Sequence, residues 1–295
     1  MAEPRIRPAT EGDQEAAYGI LEACRLGPWF ELSFEDFRSW WPTYAGVWIA
    51  EEGDALGYSA TLGGQVEIYV LPGARRRGIG SRLLSNAEGV IGGSVATATA
   101  RRDEETAAPF FTARGYAPVA ETWLMQVELD DVSEAPQWPE GYSVRVFRST
   151  DGEAVKGLLD ASYADEPGFQ LLPYEDWRRR MMEFSRFEPE SWFVAEAPDG
   201  ALAGAALNWS DGFVKDLVVH PDQQGRGVGK ALLLHTFAHF KARGAPRVTL
   251  KTDSWNTSQA WRFYEHMGMR KTQTYDDYEK ALPPRSATAS GDTGV

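Results

Sequence analysis

Two features of this 295-residue sequence have the residue types and spacing for chemistry: one carboxylate inside an apolar run, and one loop of closely spaced glycines. Asp216 interrupts the strand-like run Phe213 to Val219. A carboxylate there is costly to bury unless it faces a watered cleft or a cationic group. The other placement open to it is the solvated start of the strand. Pro221 ends the strand, and Gly225, Gly227 and Gly229 follow, able to take backbone angles barred to other residues and to let a ligand approach the main chain. Lys230 to Phe240 then reads as a helix. A strand, a glycine loop and a helix start present free N–H groups at the positive end of a helix dipole, which suits a phosphate or pyrophosphate. A glycine-rich surface turn has the same local pattern.

Composition bounds the answer. A hydrophobic content of 43% with 11 Trp is ample for a packed core, and the length sits where single cores give way to two domains. The formal charge of −13 argues against nucleic acid and makes cationic small molecules the easier partners. Cys24 is the sole cysteine, so no intramolecular disulfide is expected. Neither a signal segment nor an apolar run of membrane-spanning length is visible, so a cytoplasmic location is expected. The stretch from Pro283 to Val295 lacks apolar residues and reads as a disordered tail.

The elements that would position Asp216 and the loop occur twice. Val66 to Leu84 repeats the strand, loop and helix, with Arg75, Gly78 and Gly80 matching Gln224, Gly227 and Gly229 at an offset of 149. Ile6-Arg7 with Asp13 matches Val144-Arg145 with Asp151 at 138; Phe34 to Arg38 matches Tyr174 to Arg178 at 140; Trp48 to Glu51 matches Phe193 to Glu196 at 145; Gly115 matches Gly268 at 153. A stepwise drift of this kind is what loop insertions produce in a duplicated domain of about 140 residues. Each half reads as a strand, two helical stretches, a hairpin, the glycine-loop strand and helix, another strand, a short helix and a last strand, which is α/β with a mixed sheet. Residues 131–141, with two prolines and several acidic groups, read as the linker between a first domain at 1–130 and a second at 142–282.

The halves resemble tandem domains of the GCN5-related N-acetyltransferase (GNAT) family. The family's loop pattern, Gln or Arg, two residues, Gly, one residue, Gly or Ala, is matched by Gln224 to Gly229 and by Arg75 to Gly80; its later Asn, Tyr and Gly are matched by Asn256, Tyr264 and Gly268. The resemblance covers about 280 residues and implies a mostly antiparallel central sheet flanked by helices in each half. It also implies acetyl-coenzyme A as acyl donor, with no metal. Gln224, Gly225, Arg226, Gly227, Val228, Gly229 and Lys230 would hold the pyrophosphate, the backbone of Leu217, Val218 and Val219 the pantetheine arm, and Asn256 and Tyr264 would complete the coenzyme site. A small-molecule amine acceptor, with a cation readily accommodated, and a monomer or homodimer are expected.

Acetyl transfer needs the amine neutral, so Asp216 is the expected base or amine anchor, and Tyr264 the acid for the leaving thiolate. An amide at Val218 or Val219 would stabilise the oxyanion. Tyr264 also has helical spacing from Ala260 and Trp261, which an ordinary core tyrosine would share. In the first half Glu67 aligns with Asp216, but Phe111 stands in place of Tyr264 and Asp103 in place of Asn256. The first half is therefore expected to be catalytically degenerate while keeping a second coenzyme site at Val70, Arg75, Arg76, Arg77, Gly78, Ile79, Gly80 and Ser81. A non-catalytic acyl-coenzyme A sensor, an O-acceptor and a longer acyl donor stay open. His235 and His239, at i and i+4 without a third ligand, read as a core-edge pair, and His220 as a strand-end residue or a proton-transfer aid. The aromatics Trp29, Phe30, Trp40, Trp41, Phe169, Trp177, Trp209 and Trp255 are open to two readings, an acceptor pocket or core.

Overall fold

The computed structural model describes residues 3–24, 32–164, 171–255 and 259–283. Trp29, Phe30, Phe169, Asn256 and the tail beyond Pro283 lie outside the described residues. The first half runs β1 (Arg5–Pro8), α1 (Gln14–Cys24), α2 (Phe34–Trp40), β2 (Gly46–Glu52), β3 (Asp54–Leu62), β4 (Gln65–Val70), α3 (Ile79–Glu88), β5 (Val95–Arg101), α4 (Ala107–Thr112) and β6 (Ala117–Glu128). The second half repeats it as β7 (Ser143–Val146), α5 (Gly152–Tyr163), α6 (Tyr174–Met182), β8 (Phe193–Glu196), β9 (Leu202–Asn208), β10 (Phe213–Val219), α7 (Val228–Ala242), β11 (Arg247–Asp253), α8 (Ala260–His266) and β12 (Arg270–Ala281).

The chain forms two compact units, residues 1–119 with 275–295, and residues 120–274. These bounds differ from the linear division at 131–141, because each half gives its last strand to the other unit. The sheet of the first unit runs β1-β2-β3-β4-β5-β12 and is closed by Tyr275 to Ala281, which pair antiparallel with Arg101 to Val95. The sheet of the second runs β7-β8-β9-β10-β11-β6 and is closed by Thr122 to Glu128 against Asp253 to Arg247. The physical reason is the edge of β5 and of β11, whose backbone groups need a partner strand and find it in a segment that sequence order assigns elsewhere.

Both sheets are antiparallel except at one junction. In the second unit the parallel pairing of β10 with β11 covers Phe213↔Thr249 and Val214↔Leu250, and in the first that of β4 with β5 covers Gln65↔Thr97. Beyond those points β10 and β4 continue on their other side against β9 and β3. This is the geometry that leaves one edge of a strand open to a ligand.

Hydrophobic patterning explains the packing. In α7, Leu233, Leu234, Phe237 and Phe240 are buried against β11 and β6 residues such as Val248, Leu250, Met125 and Val127. Each such side chain contributes about 1.5–3 kcal/mol by leaving water. In the first unit Ile20, Leu21, Phe37, Trp41 and Tyr58 pack on one face of the sheet. The repeat has a shared structural signature. Arg7 joins Asp13 at 2.8 Å and Glu51 at 3.0 Å, and Arg145 joins Asp151 at 2.7 Å and Glu196 at 2.7 Å. In each unit the first strand is thus tied to the start of the first helix and to the second strand, which accounts for the matched spacing in the sequence.

Candidate active site and the companion cleft

In the second unit, β10 carries a bulge: Val214 faces Asn208 while Asp216 faces Leu207, so Lys215 is the extra residue. A bulge re-aims the side chains around it. Asp216 is turned inward, 8% exposed, and its carboxylate accepts a hydrogen bond from the Tyr163 hydroxyl at 3.1 Å, with the Lys215 ammonium 3.4 Å away. Tyr163 closes α5, 53 positions before Asp216, and no local pattern in the sequence signals this contact.

After the bulge, Leu217, Val218 and Val219 pair with Ala206, Ala205 and Gly204. Gly204 has a specific reason to be glycine: a Cβ there would lie 2.7 Å from the Val218 carbonyl oxygen. At the end of the strand His220 Nδ1 accepts from the Asp222 amide at 3.3 Å and caps the turn. Gln224 donates to the Val219 carbonyl at 3.3 Å. Gly225 and Gly227 adopt left-handed φ of 74° and 92°, Gly227 being the cap of α7, so the loop amides are gathered at the start of a fifteen-residue helix. Val228 is buried, leaving its backbone as the part available to a ligand; Arg226 is exposed, and Lys230 is paired with Glu134 at 2.7 Å. Tyr264, on α8, is half-buried and packs against the same core as Leu217. Asp216, Tyr163 and Lys215 are in direct contact, whereas Tyr264 comes from a separate helix beside the strand.

The aromatic residues divide. Trp177 and Trp209 are buried around Trp192, with ring centroids 6.2 and 6.4 Å from it, and Trp209 also meets Phe184 at 4.8 Å, so these belong to core. Trp41 is core in the first unit, where Trp40 packs against it half-buried. His235 and His239 sit edge-on to Phe193 at 4.6 and 5.1 Å, and burial lowers the pKa of both rings.

The first unit holds a cavity of about 800 Å³ between β4, β5 and the loop. Val70, Arg75, Arg76, Gly78, Ile79, Gly80 and Ser81 line it; Arg77 instead pairs with Glu52 at 2.6 Å. Arg75 donates to the Val70 carbonyl at 3.1 Å, the same strand-end clamp that Gln224 makes. Arg76 takes a left-handed φ of 63° where the second unit has Gly225. Phe111 lines the cavity and stacks on Tyr278, and Asp103 is held by Arg101 at 2.9 Å. Glu67 also lines the cavity. Desolvation pushes its carboxyl up to about 7, against the opposing effect of a hydrogen bond with Tyr44.

The family model described as "Acetyltransferase (GNAT) family" matches residues 156–269, and "Acetyltransferase (GNAT) domain" matches residues 43–118. A mycothiol acetyltransferase of Thermobispora bispora is 33% identical over 281 residues, covering 89% of this chain and 94% of that protein. Among solved structures, a GCN5-related N-acetyltransferase from Sphaerobacter thermophilus superposes with a TM-score of 0.75 at 24% identity, over 97% of this chain and 98% of that one. A tandem GNAT protein from the clavulanic acid biosynthesis pathway gives 0.72 at 19%, over 96% and 100%. The two structures agree in fold with the sheets described above, and the sequence relatives carry the chemistry class. With a family model on each half and this full-length relative, the chain belongs to the GNAT acetyltransferase family, as a tandem N-acetyltransferase whose organisation resembles mycothiol synthase.

Proposed function

We propose that the protein moves an acetyl group from acetyl-coenzyme A directly to the amine of a small molecule, and that the second unit carries the reaction. The observation that supports this most is Asp216, buried on a bulge at the open edge of β10 and oriented by Tyr163. The residues present suit the coenzyme: left-handed glycines at the cap of α7 gather amides for a pyrophosphate, and the free side of β10 offers backbone groups to an extended amide-bearing arm.

Bound there, acetyl-coenzyme A supplies an activated acyl thioester. Leu217, Val218 and Val219 orient the arm, and Gln224, Gly225, Arg226, Gly227, Val228, Gly229 and Lys230 form the phosphate end; the family pattern assigns Asn256 and Tyr264 to the same coenzyme. Asp216 takes the ammonium's proton or anchors the amine, Lys215 opposing a second cation close by. An amide at Val218 or Val219 steadies the developing oxyanion. Tyr264 donates the proton that leaves with sulfur.

The test is release of free thiol from acetyl-coenzyme A across a panel of small amines, including the amine that a mycothiol acetyltransferase would acylate. Tyr264→Phe and Asp216→Asn are each expected to lower kcat at least about tenfold. Unchanged turnover in both removes the assignment. Stoichiometric coenzyme binding without turnover on any amine points to a binding or sensing protein instead.

A further inference from the structure

We propose that the first unit is a second acyl-transfer site, in which Glu67 accepts the proton of the acceptor amine and Tyr275, delivered by β12, protonates the leaving thiolate in place of Phe111. This rests on the reading above that the glycine loops hold an acyl thioester.

The positions of the phenols are complementary. Phe111 and Tyr264 are 153 residues apart, as are Gly115 and Gly268, and at the same offset Thr122 corresponds to Tyr275. Thr122 pairs with Asp253 at the end of β11, and Tyr275 pairs with Arg101 at the end of β5, so the two are equivalent places on the closing strands. The second unit thus has a phenol on its own helix and a threonine on the closing strand, whereas the first has a phenylalanine on its helix and a phenol on the closing strand. Tyr275 and Phe111 line the same cavity, together with Glu67 and the loop residues Gly78 to Ser81.

Glu67 has the setting of a group that holds and releases a proton. It is flanked by phenols from three elements, Tyr44 after α2, Tyr58 on β3 and Tyr69 on β4, and Cys24 of α1 lies among the same groups. Tyr44 is in hydrogen-bond contact with it. The cavity also presents Arg75, Arg76, Arg101 and Arg114 for an anionic donor; Arg75 is committed to Glu104 and Arg101 to Asp103, and Arg114 donates to the Phe110 carbonyl and the Ser81 hydroxyl. Burial holds the Tyr275 proton on, Arg101 partly offsetting that effect, so the hydroxyl is in its donating form at neutral pH.

In the step, the amine nitrogen bonds to the acyl carbon as the carbon–sulfur bond breaks. The nitrogen's proton passes to the Glu67 carboxylate, the Tyr275 hydroxyl gives its proton to sulfur, and proton exchange with water returns Glu67 to carboxylate and the tyrosinate to phenol. The products are an amide and a free thiol.

The experiment uses the full chain carrying Asp216→Asn and Tyr264→Phe, which silences the second unit on the reading above. Acetyl-coenzyme A and the amine panel are supplied and thiol release is followed. This background is expected to retain amine-dependent release, and adding Glu67→Gln or Tyr275→Phe is expected to lower it at least about tenfold. Both substitutions keep size and shape; thermal unfolding monitors the fold, and Glu67→Gln carries the test if Tyr275→Phe weakens the sheet. No amine-dependent release in the background, or release unchanged by both substitutions, overturns the proposal. If Asp216→Asn with Tyr264→Phe leaves the native rate intact and Glu67→Gln then removes it, the assignment to the second unit fails while this one stands.

Discussion

At the scale of single residues, Asp216 lies between a phenol and an ammonium. Tyr163 donates to its carboxylate, and Lys215, displaced by the bulge, stands on the other side. Tyr163→Phe removes the hydrogen bond to Asp216 and leaves the ring, so kcat is expected to fall about three- to tenfold, roughly 0.7–1.4 kcal/mol. The KM for acetyl-coenzyme A and the melting temperature should stay within error in steady-state kinetics and thermal unfolding. A shift in stability without a change in kcat would make Tyr163 a packing residue only. Asp216 is legible because a charge in an apolar strand needs a reason visible in sequence. Tyr163, Tyr44 and Tyr275 are not, because their relevance arises from contacts across tens to hundreds of positions that no periodicity encodes. Arg75 and Gln224 show a subtler gap: the loop motif marks them as ligand residues, and both spend hydrogen bonds on the carbonyl that ends the preceding strand.

At the scale of elements, the strand, loop and helix could be read from residue type alone, since Pro221 and the left-handed Gly225 and Gly227 punctuate the chain where it turns. The bulge at Lys215 and the brief pairing of β10 with β11 could not, since both depend on register between strands. Gly204 is where that register meets the site. A methyl group there would press on the Val218 carbonyl, which faces β9, and so displace the strand whose other edge is assigned to the pantetheine arm. Gly204→Ala is therefore expected to cost about 1–3 kcal/mol through overpacking and, in addition, to raise the KM for acetyl-coenzyme A. Chemical denaturation and initial rates together check it; a stability loss with unaltered KM would detach Val218 from coenzyme binding. Gly57 has the same relation to the Tyr69 carbonyl, at 2.7 Å, so close approach of these two strands is a property of the repeat.

At the scale of the whole molecule, the duplication and the α/β class were legible from five aligned pieces, and among the described residues no helix is long and apolar enough to cross a membrane. The division into compact units was not legible, because a linear sequence shows where a strand is and not which sheet takes it. The pH dependence of stability is a global consequence of opposed carboxylates. Arg7 hydrogen bonds hold Asp13 well below the usual range, and Arg145 with the Arg148 amide holds Asp151 below it despite the opposing effect of burial. Both contribute stability above the unfolded value of about 3.9 and lose it as pH falls through their lower folded values. Glu67 has the reverse sign: its contribution is full below about 4.3 and is lost as pH rises through about 7. Stability should therefore peak near about pH 4 as far as these groups decide it, falling on either side between about pH 2 and 7. Glu67→Gln should flatten the alkaline side, and Asp13→Asn with Asp151→Asn the acid side, in denaturation curves recorded across that range. Slopes unchanged by the substitutions would count against the environments described.

The exchanged strands also set an order of assembly. Residues 275–281, which close the sheet of the first unit, are made long after β5, the edge they cover. The leading half of the nascent chain must wait with an open edge, exposed to wrong pairing, until β12 has emerged. The trailing unit has no such delay, since β6 has already emerged when its own β11 arrives. The unit translated first is thus the one finished last, and a ribosome stalled before residue 275 would release a chain whose second unit has all its strands and whose first lacks one.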